Sequence, residues 1–450
     1  MPIGDHDDHH HHDSIWQNTR HRASTLMEDL LVLLSGSIAG TVAQAAGGRL
    51  SFSYNPDWQQ DELAYPLSLS MPLAQRLHAD EVIRPFMEGL LPDNVDILRD
   101  WGRRFGASPG NPFSMLTHVG EDVAGAAQFI RPDRLDELTN DTGTVDWLSD
   151  AQIADRLRVL FADKSAWRIA GDSGYFSLAG AQPKTALLRS GARWGLPSGG
   201  LATTHILKPP VLDLEGLATN EHLCLRVAGE LGLPVVNSEV LVFGDQRTIV
   251  VERYDRLSTP AGLIRIHQED FCQASSTPPS MKHEGEGGPD VVRLVRIIEE
   301  NSSSPQEDVL SFIRSLGLHW VLLAPDAHAK NYSLLIAPGG QVRLAPLYDV
   351  ISVLPYPQRY HAPRTKLAMR IAGEYRAHFI RGRHWRRLAD EIGLDQQEVW
   401  DNLKQLVSAV PDAASAAAAD ARGADLEPEF IDRFEKLVTK NADVCARLLE

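Results

Sequence analysis

From Leu30 onward the chain alternates apolar and polar positions in short runs. These are Leu31 to Leu34, Gly36 to Val42, and then Leu50, Phe52 and Tyr54 beyond the Gly47-Gly48 turn. Side chains in a strand point to opposite faces in turn, so this spacing predicts strands joined by tight turns. Pro56-Asp57 closes that hairpin, and Tyr65 to Met71 and Val123 to Ile130 read as further strands. Between them Asp93 caps a helix whose apolar face is Val95, Ile97, Leu98 and Trp101, and Asn111 to Leu116 forms another helical turn. Residues 26–140 therefore read as a small α+β unit. The polar, acidic stretch Thr139 to Asp150 reads as a linker.

The pattern then changes twice. A helix near Ala151 to Phe161 precedes strands at Thr185 to Leu188, Thr204 to Lys208, Val235 to Phe243 and Thr248 to Val251. A helix starting at Asn220 carries Leu223, Val227 and Leu231 at helical spacing and stops at Gly232 and Pro234. Beyond the Ser/Pro/Gly-rich loop Ala274 to Pro289, helical periods take over at 290–300, 305–323, 384–392, 396–410 and 428–449, with Ala413 to Ala419 a helix or a tether. The order predicts an α+β, bilobal, protein-kinase-like fold. Its β-rich lobe is 141–256 and its mainly helical lobe 257–450, with the 26–140 unit as an addition. Residues 1–25, with His6 and His9 to His12 set among aspartates, are too polar to pack and read as a disordered tail.

Composition narrows the function classes. The 450 residues hold 44 Lys plus Arg against 60 Asp plus Glu, a net charge of −16, which argues against non-specific attraction to nucleic acid. The cluster Arg376, Arg381, Arg383, Arg386 and Arg387 reads as a solvated helix face. No apolar run reaches the roughly 18 residues that span a bilayer, and no leader pattern opens the chain. Cys224, Cys272 and Cys445 are odd in number and far apart, offering no disulfide framework. A cytoplasmic location is the expectation.

The chemistry concentrates late in the chain. Asp326 and Asn331 have the Asp-x-x-x-x-Asn spacing with which kinase catalytic loops orient a hydroxyl and hold magnesium. The runs Tyr332 to Ile336 and Gln341 to Leu344 flank Pro338-Gly339-Gly340, and that hairpin returns Asp349 beside Asn331 as a second metal carboxylate. Upstream, the loop Gly171 to Lys184 lets backbone N–H groups approach phosphate, and Lys184 adds a point charge. Pro183 breaks any Walker A pattern, and Thr185 onward continues as strand, leaving the strand–loop–strand of kinases or an ordinary hairpin. Lys208, ending a strand, is placed to meet phosphates. Glu221 is either its ion-pair partner or an exposed first-turn glutamate favoured by the helix dipole. Glu252-Arg253-Tyr254 would be the inter-lobe hinge facing adenine, with Tyr254 covering the ring or filling the core.

Several long motifs in one order resemble the HipA family of serine/threonine kinases, the toxins of bacterial toxin–antitoxin pairs. They are Ser177 to Leu188, His205 to Lys208, Glu252 to Arg256, His267 to Gln273, Asp326 to Asn331 and Tyr348-Asp349, and the likeness extends from about residue 28 to 410. The resemblance implies Mg-ATP as cofactor, Asp326 as catalytic base, and Asn331 and Asp349 as magnesium ligands. It implies nucleotide contacts from Ala179, Gly180, Ala181, Gln182, Pro183 and Lys184, from Lys208, and from the hinge. His328, Ala329, Lys330, Asn331, Tyr348 and Asp349 would complete them. It further implies inhibitory autophosphorylation at Ser177, a HipB-like DNA-binding antitoxin as partner, DNA contact only through that complex, and a protein substrate such as an aminoacyl-tRNA synthetase. The alternatives are a small-molecule or lipid kinase with the same loop, or a non-catalytic ATP-binding partner of a transcriptional regulator.

Overall fold

The computed structural model describes residues 29–140, 143–166, 176–424 and 426–450, so the His-rich tail and the loop's Gly171 to Tyr175 lie outside the described residues. The first unit is a five-stranded antiparallel sheet, β1 (Leu30–Leu34), β2 (Ser37–Gln44), β3 (Leu50–Tyr54), β4 (Leu77–Ala79) and β5 (Gln128–Ile130), in the order β4-β3-β2-β1-β5. Packed with it are α1 (Pro56–Gln60), α2 (Asp80–Gly89), α3 (Val95–Phe105), α4 (Pro112–Val119) and α5 (Leu135–Asn140). Phe52, Tyr54, Tyr65 and Phe86 are fully buried in its core.

Three expectations for this unit are corrected. Pro56-Asp57 opens α1 under an Asn55 cap instead of merely closing a hairpin. Tyr65 to Met71 alternates like a strand but is irregular, because side chains take its backbone groups: Leu67 N donates to Tyr54 Oη at 2.8 Å, and Leu69 N to Glu269 Oε1 at 2.7 Å. The expected strand from Val123 is cut to Gln128–Ile130 for a related reason. Arg253 bonds Val123 O at 2.8 Å, Arg256 bonds Gly125 O at 2.9 Å, and Gly125 N donates to Asp255 at 2.6 Å.

The presumed linker is also structured. β6 (Val145–Leu148) forms the edge of a six-stranded antiparallel sheet, followed by α6 (Asp150–Ala162) under a Ser149 capping box. β7 (Thr185–Ser190), β8 (Arg193–Pro197), β9 (His205–Lys208), β10 (Ser238–Phe243) and β11 (Gln246–Glu252) complete that sheet in the order β10-β11-β9-β7-β8-β6, with α7 (Leu217–Glu230) packed on β10 and β11. α7 begins at Leu217, three residues before the expected start, under Gly216 with no side-chain cap. No Ser, Thr, Asp or Asn stands at the cap position to mark the start.

A hairpin of β12 (Arg256–Thr259) and β13 (Gly262–Arg265) leads into the helical lobe. There β14 (His267–Asp270) and α8 (Phe271–Ala274) precede α9 (Val291–Asn301) and α10 (Pro305–Leu322). β15 (Ser333–Ala337) and β16 (Gln341–Leu344) pair as the expected hairpin and add to β14. β17 (Lys366–Ile371), β18 (Glu374–Arg376), α11 (Gly382–Glu391), α12 (Gln396–Gly423) and α13 (Pro428–Leu449) complete the fold. α12 runs through Pro411 and settles the alanine-rich stretch as helix, with Ala413, Ala414, Ala417, Ala418 and Ala421 buried. Small side chains let this helix approach its neighbours closely, and the resulting packing outweighs the hydrogen bond that proline removes. Among the described residues no helix is long and apolar enough to cross a membrane, and all three cysteines are buried and free.

Candidate active site

β9 ends with Lys208 pointing into the space between the lobes. Its Nζ lies 2.7 Å from Glu221 Oε1 and 2.8 Å from Asp349 Oδ1. Glu221 is 1 % exposed, so the exposed first-turn reading is excluded: the earlier start of α7 carries the residue into the interior. Burial disfavours the Lys208 ammonium, but the two carboxylates outweigh it and raise its pKa. Burial likewise opposes ionisation of Asp349, yet Lys208 and Lys184 prevail and hold its pKa at about 2. Asp349 also has φ 56°, a left-handed conformation that strains a non-glycine residue.

The loop after α10 supplies the other groups. Asp326 stands at the mouth with its side chain 84 % exposed, and its pKa is raised by desolvation from the recess, then by the charge of Asp349. His328 Nε2 is 3.9 Å from Asp326 Oδ1, and burial lowers the imidazole pKa to about 3. Asn331 Oδ1, His328 Nδ1, Glu221 Oε2 and Asp93 Oδ1 are buried without a hydrogen-bond partner. Unsatisfied buried polar atoms carry a desolvation penalty, and their gathering at one cleft marks a place built to receive polar ligand atoms. Asn331 Oδ1 and the Asp349 carboxylate are hard oxygen donors, the set that suits Mg²⁺.

The glycine-containing loop folds over this cleft. Lys184 is buried and donates to Ala179 O at 2.5 Å; desolvation, then repulsion from Lys208, lowers its pKa to about 8. Gly180 has φ +108°, a conformation that demands glycine, and a Cβ there would lie 2.5 Å from Lys184 Nζ and displace it. The cleft, about 220 Å³, is lined by Ala179 to Gln182, Lys184, Lys208, Glu252 to Asp255, Asp326, His328, Lys330, Asn331, Tyr348 and Asp349 among others. Pro183 and Ala329 are not in its wall: Ala329 is fully buried in the turn beneath. Ser177 is also fully buried, its Oγ donating to Leu90 O at 2.8 Å.

Around Glu252 to Tyr254 the side chains divide between cleft and interior. Tyr254 bonds Gln268 and stacks on Tyr348 with ring centroids 5.7 Å apart. The Arg253 guanidinium turns away, held at 3.0 and 2.9 Å by Asp255 and at 2.8 Å by Thr203.

Several site residues escaped the sequence reading. Asp93 does not cap α3, a role taken by Asn94; instead it pairs with Lys282 at 2.9 Å and faces Lys330 at 3.8 Å. Lys330 in turn is fixed by Asp270 at 2.8 Å and by Gly89 O at 3.2 Å. Spacing cannot reveal partners separated by 60 to 241 positions; the one available signal was the acidic pair Glu269-Asp270 within the His267 to Gln273 motif.

A lysine–glutamate pair in one lobe, its lysine reaching Asp349 of the other beside the Asn331 amide, defines a kinase-type site. Comparison with known proteins identifies which kind. The HipA-like C-terminal domain model matches residues 176–414 and the HipA N-terminal domain model residues 30–130. The chain is 34 % identical to "Putative kinase Y4mE" of Sinorhizobium fredii over 92 % of its own length and 97 % of that protein. It is 29 % identical to the serine/threonine-protein kinase toxin HipA of Shewanella oneidensis, over 82 % of this chain and 84 % of that one. A solved complex of the Shewanella oneidensis HipA, HipB and operator DNA contains a chain that superposes with TM-score 0.78 at 26 % identity, covering 92 % of this chain and 96 % of that one. This chain belongs to the HipA family of kinases.

Proposed function

We propose that this protein transfers the γ-phosphate of ATP to a serine of a protein substrate. The single observation that carries the reading is the convergence of Lys208, Glu221 and Asp349 within hydrogen-bonding distance, in the same cleft as Asp326 and Asn331. Lys208, kept charged by its carboxylates, neutralises phosphate oxygens. Asp326, open to solvent at the mouth, orients the acceptor hydroxyl and takes its proton. Asn331 and Asp349 would hold Mg²⁺, which when bound neutralises and aligns the phosphates. The backbone of Glu252 to Tyr254 meets the adenine edge, with the Tyr254–Tyr348 stack behind it.

Ser177 is the proposed site of inhibitory autophosphorylation. Its buried pocket has no room for a group bearing about −1.5 to −2 charges, so the modified loop would leave the cleft. The division into a 26–140 unit, a 141–256 nucleotide lobe and a 257–450 catalytic lobe belongs to the same reading. So do a HipB-like antitoxin as the partner that contacts DNA, an aminoacyl-tRNA synthetase as substrate, and residence in the cytoplasm. The relative solved with HipB and operator DNA supports the antitoxin.

The test is incubation of the purified protein with labelled ATP and Mg²⁺, followed by mapping of the phosphate. Label on Ser177 or an added protein is expected. Label confined to a small molecule, or bound ATP without turnover, would overturn the reading.

A further inference from the structure

Beside the oxygen donors Asn331 and Asp349 lies a second donor set of different chemistry. We propose that His283, Asp326 and His328 form a transition-metal site of the Zn²⁺ class, whose occupation withdraws Asp326 from phosphoryl transfer.

One ligand atom from each of these three side chains lies within 4.8 Å of the other two. Zinc bonds of about 2.0–2.1 Å in tetrahedral geometry need ligand separations of about 3.3 Å, so closure takes side-chain rotation of ångström scale. Asp326, with 84 % of its side chain exposed, is free to make it. His328 is the fixed member, its side chain 6 % exposed and its ring edge-on to His283 with centroids 4.9 Å apart. Neither of its ring nitrogens is hydrogen-bonded among the described residues: Nδ1 is buried without a partner, and Nε2 meets only the Asp326 carboxylate, at 3.9 Å. A buried imidazole left without partners is destabilising, and a metal bond relieves it.

His283 comes from a separate loop that is itself held in place. Its carbonyl accepts hydrogen bonds from Glu286 N and Gly288 N, each at 3.0 Å. Its neighbour Lys282 is tied to Asp93 at 2.9 Å. Gly288 is required here, since a Cβ would strike the carbonyls of Met281 and His283.

Two imidazoles and one carboxylate with an open fourth position form the donor set of zinc, cobalt or nickel sites, while Mg²⁺ favours oxygen ligands. The cleft therefore holds a hard site and a softer one, and the softer one takes in the residue that would orient the acceptor hydroxyl. The binding claim stands on these three side chains alone. Its inhibitory consequence rests on the phosphotransferase reading.

The experiment uses the full chain with His6 and His9 to His12 replaced by Ser, so that the tail does not compete for metal. Without nucleotide, Co²⁺ titration is expected to give the visible d–d band of a four-coordinate site, and Zn²⁺ to abolish it. His283→Ala lowers the Zn²⁺ affinity at least about 100-fold. His283→Cys, which restores a zinc ligand, retains it, and both variants autophosphorylate normally with Mg-ATP and a chelator. Zn²⁺ inhibits the parent and His283→Cys but spares His283→Ala. A Co²⁺ spectrum and Zn²⁺ affinity unaltered by His283→Ala, in a variant that melts like the parent, would overturn the proposal. Binding that depends on His283 in a protein that phosphorylates nothing would leave the metal site standing and remove the kinase reading.

Discussion

Two clusters of buried charge border the same cleft and are built on different principles. Behind the hinge, Asp122, Arg253, Asp255 and Arg256 close on one another. Asp122 accepts from Arg256 and Thr203, both at 2.7 Å, and Asp255 from Arg253 and from Gly125 N. In the cleft, Lys208 is shared between Glu221 and Asp349, while Glu221 Oε2, Asp93 Oδ1 and Asn331 Oδ1 have no hydrogen bond. The first cluster satisfies its carboxylates from within the protein and ties the N-terminal unit to the segment that follows the six-stranded sheet. The second is left short of partners, and the shortage is where a charged, oxygen-rich ligand would enter. Buried charge alone does not mark a site, and neither does one unpaired atom, since Arg256 Nε in the first cluster also has no partner; a group of unpaired oxygens around one cleft does.

The comparison breaks or sharpens through substitution, beginning with the largest expected effect. Asp326→Asn lowers the phosphorylation rate by about 10²–10⁴-fold while ATP affinity, measured by calorimetry, stays near the parent value. A variant transferring phosphate at the parent rate would remove Asp326 from the mechanism. Asp122→Ala leaves Arg253 and Arg256 buried with half their counter-charge, and stability in urea should fall by about 3–5 kcal/mol. If Glu221→Gln in the cleft destabilises as much, the distinction between the clusters fails, since that substitution should act mainly on turnover.

Gly180→Ala forces a side chain into left-handed backbone against Lys184. The expected strain of about 1–3 kcal/mol should weaken binding of a fluorescent nucleotide by roughly 10-fold, with little change in melting temperature.

The smallest effect in any one measurement is a pH slope. Glu269 is buried, and although Ser68 and Leu69 N bond it, desolvation pushes its pKa up to about 8. Its stabilisation is therefore complete below the unfolded value of about 4.3 and lost as pH rises toward 8, at most about 1.4 kcal/mol per pH unit. Glu269→Gln should flatten stability over that window. Asp349 behaves oppositely: its pKa of about 2 gives stability that is present above about 4 and lost as pH falls through 2.

Much of the candidate site was legible because its signal is short-range. Asp326 and Asn331 lie five positions apart, and the hairpin returning Asp349 is written in Pro338-Gly339-Gly340. Lys208 at the end of a β-run was equally plain. Arg253 shows the limit: the hinge reading asked only for its backbone, and the commitment of its guanidinium to Asp255 and Thr203 had no signal in the sequence. Tyr65 to Met71 failed for a related reason, as an alternating pattern records which side chains are buried and not which groups satisfy the backbone.

The order of elements, the two lobes and the identity of most groups that could react were determined by the sequence itself, since propensity, periodicity and turn chemistry act between near neighbours. Pairing was left to the tertiary structure. Lys208 finds Asp349 across 141 positions, Glu269 finds Ser68 across 201 and Lys330 is held by Gly89 across 241. Such contacts form only when packing brings distant segments together and water is excluded from between them. That same exclusion decides which charges are neutralised and which remain ready for a ligand.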